Sequence, residues 1–444
     1  MRYRLLLAVP FLVGIVVLQG LTVEIDTFHG SDARVYQLPT ILQLSERLDF
    51  SDYPSAQTPL YHLVTAGWGE LVGFDLWKLR LLNVAISYGM ALALLRLLRR
   101  ATRLDELPAF ALTLAFVMSP YVFGASFTLL TDNLAILFAL IALERIHTYT
   151  REGSLGAFAV ACLAIAAAVL TRQSFLWLVA VAAFFLVLPA LRAGRTLRLA
   201  GVVAGAALLA LAVVPMAALA VEWNGLVPPS ADPASCGLCT DRPGVGRDAL
   251  TLRTVGFSVA LLGMYAALVL GPSLWRRVRV LRTPVARAAG MVLKAVGIRP
   301  RIPSALVGGA AAVGVALLLV SPLEYMPATA GVQGDAGYLW QLSDEVPTLF
   351  DSSLLFWLLV PLGAFAAALL ARRVGWTSLP SVYLAAFLLG ALPVNLVYQK
   401  YFDPFMLLAV ALFARPADLR ARWDYAGVAV VCAASVAYAL SFAG

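Results

Sequence analysis

Apolar residues in this chain fall into long, almost unbroken tracts separated by short polar turns. The tracts run about 17–22 residues, the length an α-helix needs to cross a bilayer core. Strands of a membrane barrel would be about 10 residues long and would alternate apolar with polar. Lipid offers no hydrogen-bond partners, so each span must satisfy its own backbone, and continuous apolar tracts do that as helices. The pattern predicts spans near 4–22, 81–98, 106–123, 127–144, 155–171, 174–191, 199–221, 254–274, 304–322, 352–371, 378–397, 402–414 and 425–443. The expected fold is therefore an all-α, polytopic membrane protein of about thirteen transmembrane helices, read as one domain over 1–444. The tracts at 155–171 and 402–414 are short, which leaves a range of about 12–14. Arg2 and Arg4 precede the first tract, and Val23, Glu24 and Ile25 follow it instead of a small-x-small cleavage site. It reads as a retained first helix.

Composition agrees. Hydrophobic residues make up 61% of the 444 residues and charged residues only 13%, roughly half the charged share of a soluble domain. The net charge of +8 raises the question of a nucleic-acid partner, and its distribution answers it. With the N-terminus in the cytoplasm, most of the 33 basic residues fall on the cytoplasmic side, in clusters such as Arg96, Arg99, Arg100 and Arg103. Of the 25 acidic residues, only Asp105, Glu106, Glu144, Glu152, Asp418 and Asp424 join them. The positive-inside rule is met at nearly every loop. The basic excess is a topology signal and a contact with anionic lipid, and no nucleic-acid partner is expected. The chain reads as a multi-pass protein of the plasma (inner) membrane.

The polar loops are unequal. The first extracytoplasmic loop, 23–80, is long and carries eight acids: Glu24, Asp26, Asp32, Glu46, Asp49, Asp52, Glu70 and Asp75. Within it Val35, Leu38, Ile41, Leu42, Leu44 and Leu48 suit a short helix lying on the membrane surface. Further extracytoplasmic loops occupy 222–253 and 323–351. The cytoplasmic loop 275–303 is basic and lacks acids suited to catalysis.

Several ionisable residues stand at the outer boundary. Asp26 lies just past the first span, where partial dehydration can raise a carboxylate's pKa and suit it to act as a general base; a solvated loop acid is the plainer reading. Asp132, in Thr131-Asp132-Asn133, sits near the outer end of its span. An ionisable group at membrane depth costs about 2.5–3.5 kcal/mol on insertion scales, so it has either a function or a role as an interfacial helix cap. Arg172 interrupts the apolar tract from Leu155 to Leu191 at its outer turn. It could fork around a phosphate or simply snorkel to water. Lys400 and Tyr401 lie at another outer boundary, where a Lys400–Asp403 surface pair is the alternative. Cys236 and Cys239 frame a Cys-x-x-Cys in an outer loop. Zinc wants four ligands, no second cysteine pair exists, and His147 is on the other side, so a local disulfide in an oxidising compartment is expected. Cys162 and Cys432 lie in apolar tracts as small core residues. No metal site is expected.

Taken in order, these segments resemble the dolichyl-phosphate-glucose α-1,2-glucosyltransferases, within the multi-span, C-type glycosyltransferases that use polyprenyl-phosphate sugars. The first loop carries Asp26-Thr27-Phe28-His29, then Ala33 and Tyr36, then Asp52, Thr58 and Pro59-Leu60-Tyr61. Further on come Leu130-Thr131-Asp132, Arg172-Gln173-Ser174-Phe175-Leu176-Trp177, Trp223-Asn224-Gly225 and Lys400-Tyr401-Phe402-Asp403-Pro404. The sequence departs from that family at Ile25, where the family has a second acid. It departs again after Gly225, where Leu226-Val227-Pro228-Pro229 and the cysteine pair replace a Gly-Asp and a His.

The resemblance implies inverting transfer of a monosaccharide, glucose in that family, from a polyprenyl-phosphate donor to a lipid-linked or other envelope glycan. It implies Asp26 as base, with His29 and Asp52 beside it, and substrate contacts from Tyr61, Asp132, Arg172, Gln173, Lys400 and Tyr401. No cofactor is obligatory, although the acids near the site could hold a divalent metal. A transporter or flippase of lipid-linked sugars is the main rival reading; it would place charges at mid-span in related halves. A polysaccharide polymerase or ligase using a diphosphate-linked donor is another, and a non-catalytic scaffold a third. The whole expectation requires Asp26, Arg172 and Lys400 to meet in one pocket.

Overall fold

The computed structural model describes residues 2–18, 32–51, 53–193, 199–228, 252–272, 304–324, 337–394 and 397–441. The described residues are mostly helical. Its residues group into two compact units, one built from 1–101, 116–246 and 434–444, the other from 102–115 and 247–433.

A short turn over Arg2–Leu6 leads into α1 (Val9–Val17). The surface stretch of the first loop forms a π-helical turn, Ala33–Gln37, running into α2 (Leu38–Glu46), which buries Thr40, Ile41 and Leu44 and exposes Val35 and Leu42. Next come α3 (Leu60–Val72), α4 (Leu76–Ala101), α5 (Glu106–Val117), α6 (Pro120–Ser126), α7 (Asp132–Glu152) and α8 (Leu155–Thr171). A 3₁₀ turn over Gln173–Leu176 precedes α9 (Trp177–Ala193), and α10 (Leu199–Glu222) follows. The later elements are α11 (Leu252–Tyr265, continued as a π-helical turn to Leu270), α12 (Ser304–Val320), α13 (Tyr338–Asp344), a two-residue hairpin of β1 (Thr348–Leu349) and β2 (Ser352–Ser353), α14 (Leu354–Val374), α15 (Leu379–Ala391), α16 (Asp403–Phe413) and α17 (Ala426–Ser441). Among the described residues, α4, α10, α11 with its continuation, and α14 are long and apolar enough to cross a membrane, and α8, α15 and α16 are shorter apolar helices. The chain is an integral membrane protein.

Several boundaries move relative to the hydrophobic pattern, two of them at a proline. The span expected over 106–123 is two helices that break at Ser119-Pro120: proline lacks an N–H, and the residue before it is pushed out of the α region. Ser119 has ψ 141°. The span expected over 127–144 begins only at Asp132 and runs on to Glu152. The span expected over 378–397 ends at Ala391, just before Leu392-Pro393.

In the first unit α7 packs between α4 and α8, and α8 packs against α10. The α7–α8 joint is two residues long. Gly153 ends α7 with φ +68°, a left-handed conformation that glycine adopts without a Cβ clash. Ser154 then caps α8, its hydroxyl accepting from the Ala157 N–H at 3.2 Å. So short a joint makes α7 and α8 antiparallel neighbours, and the start of α7 must lie beside the end of α8. At the far end of α7 the buried carboxylate of Glu144 gathers three guanidinium groups: Arg96 at 3.3 Å, Arg145 at 2.9 Å, and Arg100.

In the second unit α11 and α14 cross where Gly263 meets Gly363. A Cβ on Gly263 would lie 2.8 Å from the Gly363 nitrogen, and one on Gly363 would overlap the Val259 carbonyl. Small residues let helix backbones approach closely in a membrane, where packing replaces the hydrophobic effect as the force between helices. Phe257 and Trp340 stack at 4.8 Å near this crossing, with Phe356 edge-on to both.

Gly363→Val should therefore destabilise the protein by about 1–3 kcal/mol or more, because the obstructing atoms are backbone and cannot swing aside. Thermal unfolding in detergent checks this. Gly309→Ala, at a position with open space around it, should leave the midpoint within a degree or two of wild type.

Candidate active site

The antiparallel α7–α8 pair brings together two residues 40 positions apart in the chain. Asp132 is the first residue of α7 and Arg172 the first residue beyond α8, and the Arg172 guanidinium donates to the Asp132 carboxylate. Each helix dipole favours the charge it meets: the amide end of α7 favours the carboxylate, and the carbonyl end of α8 favours the guanidinium. Arg172 is only 12% exposed at its side chain and Asp132 26%, so the pair is partly shielded from solvent.

The residues flanking this pair both grip one loop. Thr131, before Asp132, donates its hydroxyl to Gln57 Oε1 at 3.2 Å. Gln173, after Arg172, donates its carboxamide N–H to the Ala56 carbonyl at 2.7 Å. Thr58 donates to the Val169 carbonyl at 2.7 Å, one of the four at the end of α8 that have no partner within the helix. Trp223, at the end of α10, donates its indole N–H to the Phe50 carbonyl at 2.9 Å and stacks on Tyr53 at 5.9 Å. Phe50 and residues 53–58 are thus fastened to the ends of three helices.

Behind this loop lies a buried polar chain. Gln37 donates to Gln57 Oε1 at 3.1 Å, His62 bonds Gln37 Oε1 at 2.6 Å, and Tyr53 bonds His62 Nδ1 at 2.5 Å. The donor directions follow. Gln37 Oε1 can only accept, so His62 Nε2 carries the proton. A neutral imidazole then accepts at Nδ1, from the Tyr53 hydroxyl. Burial pushes the His62 pKa down to about 3, which keeps the ring neutral. Burial likewise raises the Tyr53 and Tyr61 hydroxyls above their ordinary range.

Tyr61 is fully buried, and its hydroxyl donates to Asn83 Oδ1 at 3.0 Å. Asn83 in turn donates to the Thr128 and Leu130 carbonyls, supplying partners for the non-helical link between α6 and α7. Asn133 does similar work, donating to Ser87 at 2.8 Å, Ser126 at 3.1 Å and the Val122 carbonyl at 3.1 Å. A cleft of about 650 Å³ opens beside the loop, walled by Leu48, Leu170, Pro215 and Leu219, with Asp49 and Glu222 also lining it.

In the second unit Lys400 and Tyr401 lie on a 3₁₀ turn, Gln399–Tyr401, with the ammonium 5.4 Å from the Tyr401 ring centre. Asp403 is not a surface acid. It is fully buried, and one carboxylate oxygen accepts from Tyr265 and Tyr338 at 2.7 Å and from Gln399 at 2.9 Å. Asp26, His29 and Asp52 lie outside the described residues, as do Cys236 and Cys239. Arg172 belongs to the first unit and Lys400 to the second. His62, Gln37, Gln57 and Asn83 escaped the sequence reading. Polar residues inside apolar helices, such as Asn83 and Ser87 one turn apart, were the available signal.

Because His62 binds its proton less readily folded than unfolded, where its pKa is about 6.5, its contribution to stability is complete above pH 6.5. It is lost as the pH falls toward 3, with a slope of up to about 1.4 kcal/mol per pH unit. His62→Gln should be less stable than wild type at pH 8 and show a shallower loss of thermal stability between pH 6.5 and 4.5. Parallel curves for the two proteins would show that His62 is not held neutral.

Comparison with known proteins places residues 56–218 in a match to the family model described as dolichyl-phosphate-mannose-protein mannosyltransferase. That stretch contains the loop residues 56–58, Asp132, Arg172 and Gln173. No curated protein matches the chain. Among solved structures, ArnT from Cupriavidus metallidurans bound to undecaprenyl phosphate is 18% identical, with 88% of this chain and 77% of that chain covered and a TM-score of 0.39. The apo state of the same protein gives 18% identity, 89% and 77% coverage, and a TM-score of 0.39. The matched stretch is well under half of the chain.

Proposed function

We propose that this protein transfers a monosaccharide, with glucose as the first candidate, from a polyprenyl-phosphate donor to a lipid-linked or other envelope glycan, with inversion at the sugar carbon. The observation that carries the reading is the Asp132–Arg172 pair at adjoining helix ends, inside the segment that matches a lipid-phosphate-sugar transferase family. The positive-inside pattern supports about thirteen spans, a cytoplasmic N-terminus and an extracytoplasmic site.

The chemistry needs an acceptor oxygen to attack the sugar carbon as the bond to the phosphate oxygen breaks. Asp26 takes the acceptor proton, with His29 and Asp52 orienting the base or the acceptor. Arg172 stabilises the charge that collects on the departing phosphate. A guanidinium suits this task because its planar fork can meet Asp132 and a phosphate at once. Gln173 completes the substrate contacts, and Tyr61 supports them through Asn83. The leaving group is a single phosphate, so the reaction calls for no obligatory metal.

Purified protein in lipid nanodiscs should transfer radiolabelled sugar from at least one polyprenyl-monophosphate donor to extracted envelope lipid. Asp26→Asn should lower kcat by about 10²–10⁴-fold, the usual contribution of a general base. Arg172→Lys should lower kcat/KM by about tenfold or more, since it keeps the charge and loses the fork. A wild-type protein inert toward every monophosphate donor, or an Asp26→Asn enzyme as fast as wild type, would sink this assignment.

A further inference from the structure

We infer that the Ala56–Gln57 step is a clamp that sets Arg172 in place, and that Gln57, Thr131 and His62 are positioning residues for it. The inference rests on the reading above only in what Arg172 is positioned for.

The geometry is specific. The two members of the ion pair are each followed or preceded by a residue that bonds to one of two consecutive loop positions: Thr131 to Gln57 and Gln173 to Ala56. The start of α7 and the end of α8 are therefore held to two consecutive loop residues as well as to each other. Gln57 is the joint. Its side-chain oxygen takes two donors, Gln37 Nε2 at 3.1 Å and Thr131 Oγ1 at 3.2 Å, which uses both lone pairs of a carbonyl oxygen. That fixes the orientation of the Gln57 carboxamide.

The anchor behind the joint is rigid. Gln37, His62, Tyr53 and Thr131 are all 2% exposed or less. The donor direction runs one way, from Tyr53 to His62 to Gln37 to Gln57. Reversing any member would leave a buried group facing its own kind, at about 1–3 kcal/mol for each unsatisfied group. The chain holds α2, the 50–58 loop, α3 and the start of α7 in a single register. A guanidinium that must meet a phosphate bidentately tolerates little misplacement, and an arginine at the frayed end of a helix has no such register on its own.

Thr131→Val tests this with the smallest change, since valine keeps the shape and removes only the hydroxyl. Two measurements separate the clamp from the chemistry. In hydrogen exchange followed by mass spectrometry, Thr131→Val should raise exchange in residues 128–134 and also in residues 50–58 and 170–176, while Thr131→Ser should match wild type. In binding of undecaprenyl phosphate alone to protein in nanodiscs, Thr131→Val should weaken affinity about 5–10-fold and Thr131→Ser should restore it. In turnover, KM for the donor should rise by a similar factor with kcat within about twofold. Exchange that rises only around residue 131 overturns the clamp. Unchanged affinity in Thr131→Val, alongside weakened affinity in Arg172→Ala, overturns its role in positioning. If Arg172→Ala itself binds undecaprenyl phosphate as well as wild type, the phosphate role of Arg172 fails, and the exchange data still decide the clamp.

Discussion

A buried backbone carbonyl with no partner in a helix must find a donor elsewhere inside the protein, because burial takes it away from water. The polar region around the Asp132–Arg172 pair in the first unit is organised by that requirement. Asn83 answers for Thr128 and Leu130, Gln173 for Ala56, Thr58 for Val169, and Trp223 for Phe50. Each donor comes from a different helix end or loop than the carbonyl it serves. Satisfying the backbone therefore also sets the loop and the helix ends in register, and the polar residues that do so lie around the Asp132–Arg172 pair.

That pair illustrates how charges can be kept partly buried at the ends of apolar helices. Asp132 and Arg172 each sit at the helix end whose dipole favours them, and each partly offsets the desolvation of the other. Such a pair contributes little net stability, since desolvation offsets most of the attraction. Its value is geometric: it presents a guanidinium at a known place. At the far end of α7 the arrangement is reversed in kind, with one buried carboxylate and three arginines, two of them about half exposed.

The second unit solves a different problem. Its helices are apolar along most of their length, so they are held by close approach at Gly263 and Gly363 and by the aromatic cluster of Phe257, Trp340 and Phe356. The turn that carries Lys400 is fixed from below. Asp403 holds Gln399, and Gln399 accepts the Leu339 N–H at 2.8 Å, so the turn is tied to α13 through one buried carboxylate.

Apolar tract length determined that the chain is a bundle of membrane helices, because bilayer thickness converts directly into helix length. The tract 155–171 coincides with α8, and 402–414 lies within a residue of α16 at each end. Where a proline intervened, as at Pro120 and Pro393, hydrophobicity alone overran the helix, since hydrophobicity does not register a missing N–H. The sequence also singled out Asp132, Arg172 and Gln173, because a charge or amide breaking an apolar tract is conspicuous. It could not pair them, nor could it mark His62, Gln37 and Gln57, which look like ordinary polar residues of a loop. Only tertiary structure decided those, because a hydrogen-bond partner is chosen by what lies nearby in space, and the partners here are separated by 9 to 117 positions in the chain.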